Sequence, residues 1–350
     1  MKTLVTGASG HLGANLVRRL LEEGQNVRVL LRQGSNNTAV DNLQVERSYG
    51  DLRDFDSTLA AVEGCDRIYH CAANVSTLDG DADFHQEIYD SNVLGTIHLL
   101  RAALNANVTK VVVTGSFSAV GHHPSRPSDE TIPFYPFGKH LPYEVSKAFM
   151  EQECLKAYAD GLDVVIAVSC AILGANDFKP SRMGKTLIDF AHGKIPAYVG
   201  GGFDFVAAKD IVAGHILAME KGRGGQKYIF SSQFLTIDEI MAIFEEVTGV
   251  AKPKLRLPSK VMAGVAGIAD FIYPRFLPKA PRRFTSGAVR ILQMHRHADT
   301  SKAKTELEYQ PTSVKQAIYE AYQDFVRRGL IVKGDRERGM GNREQVIGNS

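Results

Sequence analysis

Tryptophan is absent from this 350-residue chain, cysteine occurs four times, and neither sign of charge dominates: 41 Lys and Arg stand against 39 Asp and Glu, a formal net charge of +2. So even a balance offers none of the basic footprint that a nucleic-acid partner requires, and no such partner is expected. The cysteines, at positions 65, 71, 154 and 170, form no CxxC pair, and no Cys/His cluster has zinc spacing, which argues against a disulfide scaffold and against any metal site. Cys71 and Cys170 lie in or beside apolar runs, as free buried thiols in a reducing, cytoplasmic setting do. No signal peptide is expected, because Gly7 interrupts the apolar start. The longest low-charge run, Val261 to Tyr273, still contains Asp270 and is too short to cross a bilayer. Arg275, Lys279, Arg282, Arg283 and Arg290 follow it, so 261–290 reads either as a helix over a substrate pocket or as a weak membrane-surface contact.

What the chain does have is an alternation of short apolar runs and amphipathic stretches. Lys2–Thr6, Val27–Leu31, Leu43–Tyr49, Arg67–Cys71, Lys110–Thr114 and Val164–Val168 read as strands, and Ala14–Glu23, Leu59–Val62, Asn92–Leu104 and Tyr143–Ala159 as helices between them. That alternation, with right-handed crossovers, specifies an α/β fold: a Rossmann-type doubly wound parallel sheet. After residue 173 the rhythm changes. Residues 1–173, recruiting about 204–235, are expected to form the dinucleotide domain, 174–203 and 236–330 a smaller, mostly helical C-terminal substrate lobe, and 331–350 a disordered tail.

The first strand–helix junction reads Thr6-Gly7-Ala8-Ser9-Gly10-His11-Leu12-Gly13. Gly7 permits a tight turn, Gly10 a close approach of backbone to a pyrophosphate, and Gly13 close helix–strand packing, while the helix N-terminus offers free N–H groups to phosphate. An NAD site carries an acid about 20 residues further on, at the end of the second strand. Here that strand ends in Arg32, followed by Gln33, Gly34 and Ser35. Arg32 can pair with a 2′-phosphate and stack on adenine, which favours NADP(H); the alternative is a solvated strand end. Gly50-Asp51-Leu52, after the third strand, is placed to meet the adenine, or is simply an Asx turn.

Tyr143 and Lys147 stand at i and i+4, on one face of a helix. A tyrosine of ordinary pKa, about 10, needs help to exchange protons near neutrality, and a neighbouring ammonium supplies it. Ser116, just past the fifth strand, is the best candidate to hold a reacting oxygen, since parallel strands bind ligands at their carboxyl ends. A second YxxxK match, Tyr135 to Lys139, contains Pro136 and Gly138 and should not be helical.

TGASGHLG, GDL at 50–52, HCAA at 70–73, NVLGT at 92–96, TGSFSAVG at 114–121 and YEVSK at 143–147 together resemble the extended short-chain dehydrogenase/reductases. RVLLRQGS at 28–35, DETIP at 129–133 and the run 194–230 place the resemblance with dihydroflavonol 4-reductase-like proteins and the hopanoid-associated sugar epimerase-like branch. The resemblance implies a Ser116–Tyr143–Lys147 triad, Ser116 being preferred to Ser118 because it stands five residues before Gly121. It implies cofactor contacts from Gly7, Ser9, Gly10, His11, Leu12, Gly13, Arg32, Asp51, Leu52, Ala72, Ala73, Tyr143, Lys147 and Ile172, and a structural role for Asn92. Family sugar dehydratases carry an acidic pair beside the triad hydroxyl, and Phe117 and Ser118 stand there. The expected function is reversible hydride transfer between NADP(H) and a ketone or secondary alcohol of a hydrophobic or ring-shaped molecule, by a homodimer. An NAD(P)-dependent nucleotide-sugar epimerase and a non-catalytic NADP sensor are the alternatives.

Overall fold

A computed structural model describes residues 1–257 and 286–332. In chain order its strands are β1 (Lys2–Thr6), β2 (Asn26–Leu31), β3 (Glu46–Tyr49), β4 (Arg67–His70), β5 (Lys110–Ser116), β6 (Val164–Ser169), β7 (Ala171–Leu173), β8 (Ala197–Val199), β9 (Gly202–Ala207), β10 (Lys227–Phe230), β11 (Gln233–Thr236) and β12 (Leu255–Leu257). The helices are α1 (His11–Glu22), α2 (Phe55–Val62), α3 (Ala82–Tyr89), α4 (Gly95–Asn105), α5 (Pro142–Ala159), α6 (Arg182–Ala191), α7 (Ala208–Lys221), α8 (Ile237–Thr248), α9 (Ser286–Gln293), α10 (Ser301–Leu307) and α11 (Val314–Arg327).

Seven strands form one parallel sheet in the order β3-β2-β1-β4-β5-β6-β10, the doubly wound arrangement the alternation predicts. Its central strands are apolar on both faces because both are covered. Leu16, Val17 and Leu20 of α1 and Ile211 and Met219 of α7 pack on one face. Val62 of α2, Leu99 and Leu100 of α4 and Met150 and Cys154 of α5 pack on the other. Each such side chain removed from water contributes about 1.5–3 kcal/mol. The order reverses beside β1, so the carboxyl ends of β1, β4 and β5 open on the crevice where ligands bind this kind of sheet.

The chain leaves this sheet at Cys170. β7, β9 and β11 form a separate three-stranded sheet, with β9 parallel to β7 and antiparallel to β11. Its core holds Phe190 of α6, Phe205, Phe244 of α8 and Phe325 of α11. The stretch 204–235 is therefore divided. α7 and β10 join the large sheet, whereas 204–207 and 233–235 belong to the small one, because β7 presents its edge to β9 as soon as β6 ends. The helix read from Asn92 has a forerunner in α3, joined to α4 by a single π-turn at Asp90–Leu94. That turn breaks the 3.6-residue period and hides the continuity. Ile331, assigned above to the tail, is buried in the second lobe's core, while the tail from 333 and the membrane-contact stretch over 258–285 lie outside the described residues. Among the described residues no helix is long and apolar enough to cross a membrane.

Candidate active site

The glycine loop is shaped by steric need. Gly7 has a φ of 71°, and a Cβ there would lie 2.6 Å from the amide nitrogen of Ala72. A Cβ on Gly13 would lie 2.3 Å from the Gly7 carbonyl oxygen, so helix and strand approach as closely as the spacing predicts. Gly10 differs: a Cβ would meet only the Gly7 oxygen, at 3.3 Å, and its far side is open. Gly10 caps α1 with no side-chain bond to the free N–H groups, and the first turn has no acid. The helix end is thus left open for an anion. His11 Nε2 donates to Ala175 O at 3.0 Å, and Leu12 is buried in the core. Ala72 and Ala73 lie in the loop that follows β4, and the Ala72 backbone passes beside Gly7.

Ser116 ends β5, buried, its Oγ 2.8 Å from Ser118 Oγ, and it lies close enough to Tyr143, in the first turn of α5, to act on that phenol. Pro142 opens α5 at a position where its missing N–H costs nothing, and Glu144 closes the turn by accepting from Leu141 N at 2.8 Å. Arg290 of α9 clamps the same carboxylate at 2.8 Å. One turn on, Lys147 is almost wholly buried, and its Nζ donates to Thr114 O of β5 at 2.8 Å. Asn92, in the π-turn, donates to Ser146 Oγ at 3.0 Å and accepts from Asn74 N at 2.7 Å, holding α5 against the loop after β4. Its side-chain hydrogen bonds among the described residues go to Asn74 and Ser146, not to Tyr143 or Ser116.

Burial pushes the Tyr143 phenol above its usual range, opposed in part by the nearby Ser116 hydroxyl. Burial also presses the Lys147 ammonium down to about 8. The expected lowering of Tyr143 by Lys147 is therefore not what this structure shows: the ammonium faces the Thr114 carbonyl, and desolvation prevails. Tyr143 is a protonated phenol at neutral pH, ready to give a proton to an oxygen held by Ser116.

At the other end of the crevice, Arg32 and Asp51 line one depression of about 480 Å³ together with Gln33, Tyr49 and Arg53. Arg53, which the motif reading passed over, grips Asp51 through two nitrogens at 3.0 and 2.7 Å and holds that carboxyl below its usual range. Arg32 is exposed and makes no side-chain hydrogen bond or ion pair among the described residues. Leu52 O accepts from His98 at 2.9 Å, which fixes the GDL turn against α4. Ile172 lies on β7, in the small sheet, and packs on the first core. An open helix end, a glycine with a free side and an unpaired arginine fit an adenine dinucleotide.

The family described as NAD dependent epimerase/dehydratase matches residues 3–230. The chain belongs to that family, the extended short-chain dehydrogenase/reductases. Within it, the chain is 45% identical to "Sterol demethylase protein B" of Methylococcus capsulatus, over 95% of this chain and all of that one. It is 33% identical to a "Putative dihydroflavonol 4-reductase" of Synechocystis, over 93% and 95% of the two chains. Among solved structures, gox2253 superposes with a TM-score of 0.82 at 31% identity, over 94% of this chain and 99% of that one. These family members are similar along nearly their whole length, second lobe included.

Proposed function

We propose that this chain is an NADP(H)-dependent oxidoreductase that interconverts a ketone and a secondary alcohol on a hydrophobic, ring-shaped small molecule of the sterol kind. The observation that carries the reading is the convergence of Ser116, at the end of β5, with Tyr143 and buried Lys147 on one face of α5, the Lys147 ammonium held on the β5 carbonyl of Thr114. A nicotinamide cofactor held at this crevice would supply, or take up, the hydride. Ser116 orients the substrate oxygen and stabilises the charge that develops on it. Tyr143, kept protonated by burial, gives that oxygen its proton, and in the reverse direction takes it back. Lys147 maintains a positive charge below the pair and is placed to hold the ribose.

The phosphorylated cofactor is favoured by Arg32, which is exposed and makes no direct ion pair among the described residues, and by the lack of an acid at the end of β2. Elimination of water is disfavoured because Phe117 and Ser118, not acids, follow Ser116, and the acid adjacent to Tyr143 in sequence, Glu144, is engaged by Arg290 and Leu141 N. The substrate class rests on the names of the two relatives, both of ring-shaped molecules, and on the loop before α5, where exposed Tyr135 and Phe137 stand edge to face 5.6 Å apart. The test is cofactor consumption against a panel of 3-keto and 3-hydroxy sterols, dihydroflavonols and nucleotide sugars, with NADP(H) and NAD(H). The reading predicts turnover with the ring compounds and preference for the phosphorylated cofactor. Turnover of nucleotide sugars alone, or binding with no consumption, contradicts it.

A further inference from the structure

The segment that leaves β7 crosses back over the phosphate loop. Ala175 O accepts from both His11 Nε2 and Asn15 Nδ2, each at 3.0 Å. Asn176 donates through Nδ2 to Asn15 Oδ1 and through its backbone N to Asp324 of α11, both at 3.0 Å. Phe178 lies between the guanidinium groups of Arg18 from α1 and Arg328, 4.8 and 4.6 Å from its ring centre. The next residue is Lys179. Its ammonium donates to Ser9 Oγ, 3.1 Å away, across 170 positions of sequence. It has no carboxylate partner among the described residues. This is a lysine whose backbone is pinned on both sides and whose charge is delivered to the residue just before Gly10.

The charge balance there is one-sided. Arg53 is paired directly with Asp51, whose carboxylate acts on Arg32 only at longer range, and neither Arg32 nor Lys179 makes an ion pair among the described residues. Burial and the nearby Arg32 charge both depress the Lys179 ammonium, as expected for two cations that share a space without an anion. Arg32 marks where the adenosine ribose 2′ position lies in this fold. A dianion set between the two would restore the balance.

We propose that Lys179, carried by the second lobe, is a specificity-determining residue that joins Arg32 in holding the 2′-phosphate of the cofactor, so that a phosphorylated dinucleotide ties the two lobes together. The inference rests on the NADP(H) reading above. It divides cofactor selection between an arginine on the sheet and a lysine from the opposite lobe.

Binding of 2′,5′-ADP and of 5′-AMP to the full chain, measured by calorimetry, tests it without turnover. A charge-assisted contact with phosphate predicts that Lys179→Ala weakens 2′,5′-ADP by about 10–100-fold and 5′-AMP by less than about 2-fold. Lys179→Gln, which can keep the Ser9 bond but lacks the charge, should behave like the alanine variant. Because Lys179 is exposed, both variants should fold. Amide exchange over 175–181 should slow when wild-type protein binds 2′,5′-ADP and not when it binds 5′-AMP. If wild-type protein binds 5′-AMP as tightly as 2′,5′-ADP, the NADP(H) reading and this inference both fall. If discrimination is present and survives Lys179→Ala, or if both ligands weaken equally, this inference alone is overturned.

Discussion

The two halves of the molecule are built to similar standards but contribute to the site by different means. The large sheet buries Tyr69, Tyr228 and Phe230, and the second lobe buries Phe190, Phe205, Phe244 and Phe325, all essentially without exposure. In the sheet half, the candidate site groups are set by backbone: strand ends carry Ser116 and Arg32, and a turn that only glycine can make opens α1. The second lobe reaches the same region through side chains, Lys179 on Ser9 and Arg290 on Glu144. The halves also differ in their buried polar groups. The sheet half holds neutral histidines, with His70 between Thr6 and Thr96 and His215 on Thr114. The second lobe holds a charged cluster in which Asp324 meets Arg327 and Arg328.

The largest effect should come from Tyr143→Phe. Losing a positioned proton donor costs about 10²–10⁴-fold in kcat, while NADPH affinity stays within about 2-fold, measured by steady-state kinetics and a fluorescence titration. A variant that keeps its turnover breaks the assignment of chemistry to the sheet half. Phe244→Ala removes a wholly buried ring 5.4 Å from Phe190 and should cost about 3–5 kcal/mol in urea unfolding. One shared transition would show the two cores unfolding together, and a separate early transition would sharpen the division between them.

Acid should act mainly on the sheet half. Burial depresses His70 to about 3 and His215 to about 4. In the unfolded chain both take up protons near pH 6.5, so their contribution to stability is complete above that pH and is lost as pH falls toward 4. At pH 5 the loss is about 2 kcal/mol per histidine. His215→Asn should accordingly flatten the dependence of the urea midpoint between pH 7 and 5, and an unchanged slope would contradict this. The smallest effect belongs to Phe137→Ser. With 85% of its surface exposed, Phe137 should shift stability by less than about 0.5 kcal/mol while raising KM for a ring-shaped substrate. A large loss of stability would show that the aromatic loop is core and not pocket rim.

Much of the sheet half was legible in the sequence, because strands covered on both faces leave unbroken apolar runs and a phosphate loop leaves glycines at fixed spacing. Tyr143, Lys147 and Ser116 were legible for the same reason, being fixed by one helix and one strand end. The helix α3 was not, because Ala82–Tyr89 is largely polar and the π-turn after it breaks the period. Arg53 and Lys179 were not, because their meaning depends on neighbours: Asp51 in one case, and in the other a loop far distant in sequence. The direction of the Tyr143 shift was misjudged for a related reason. Spacing places an ammonium on the same helix face, but only the fold shows that it turns to Thr114 O and that burial outweighs its charge.

The central claim is that this site exchanges hydrogen between a freely exchanging cofactor and a ring carbon. The most direct measurement supplies NADPH deuterated at nicotinamide C4 together with a 3-keto sterol and analyses the product by mass spectrometry. The account predicts one deuterium on the carbinol carbon with wild-type protein and almost none with Tyr143→Phe. Unlabelled product, or label transferred equally well by the Tyr143→Phe variant, would contradict it.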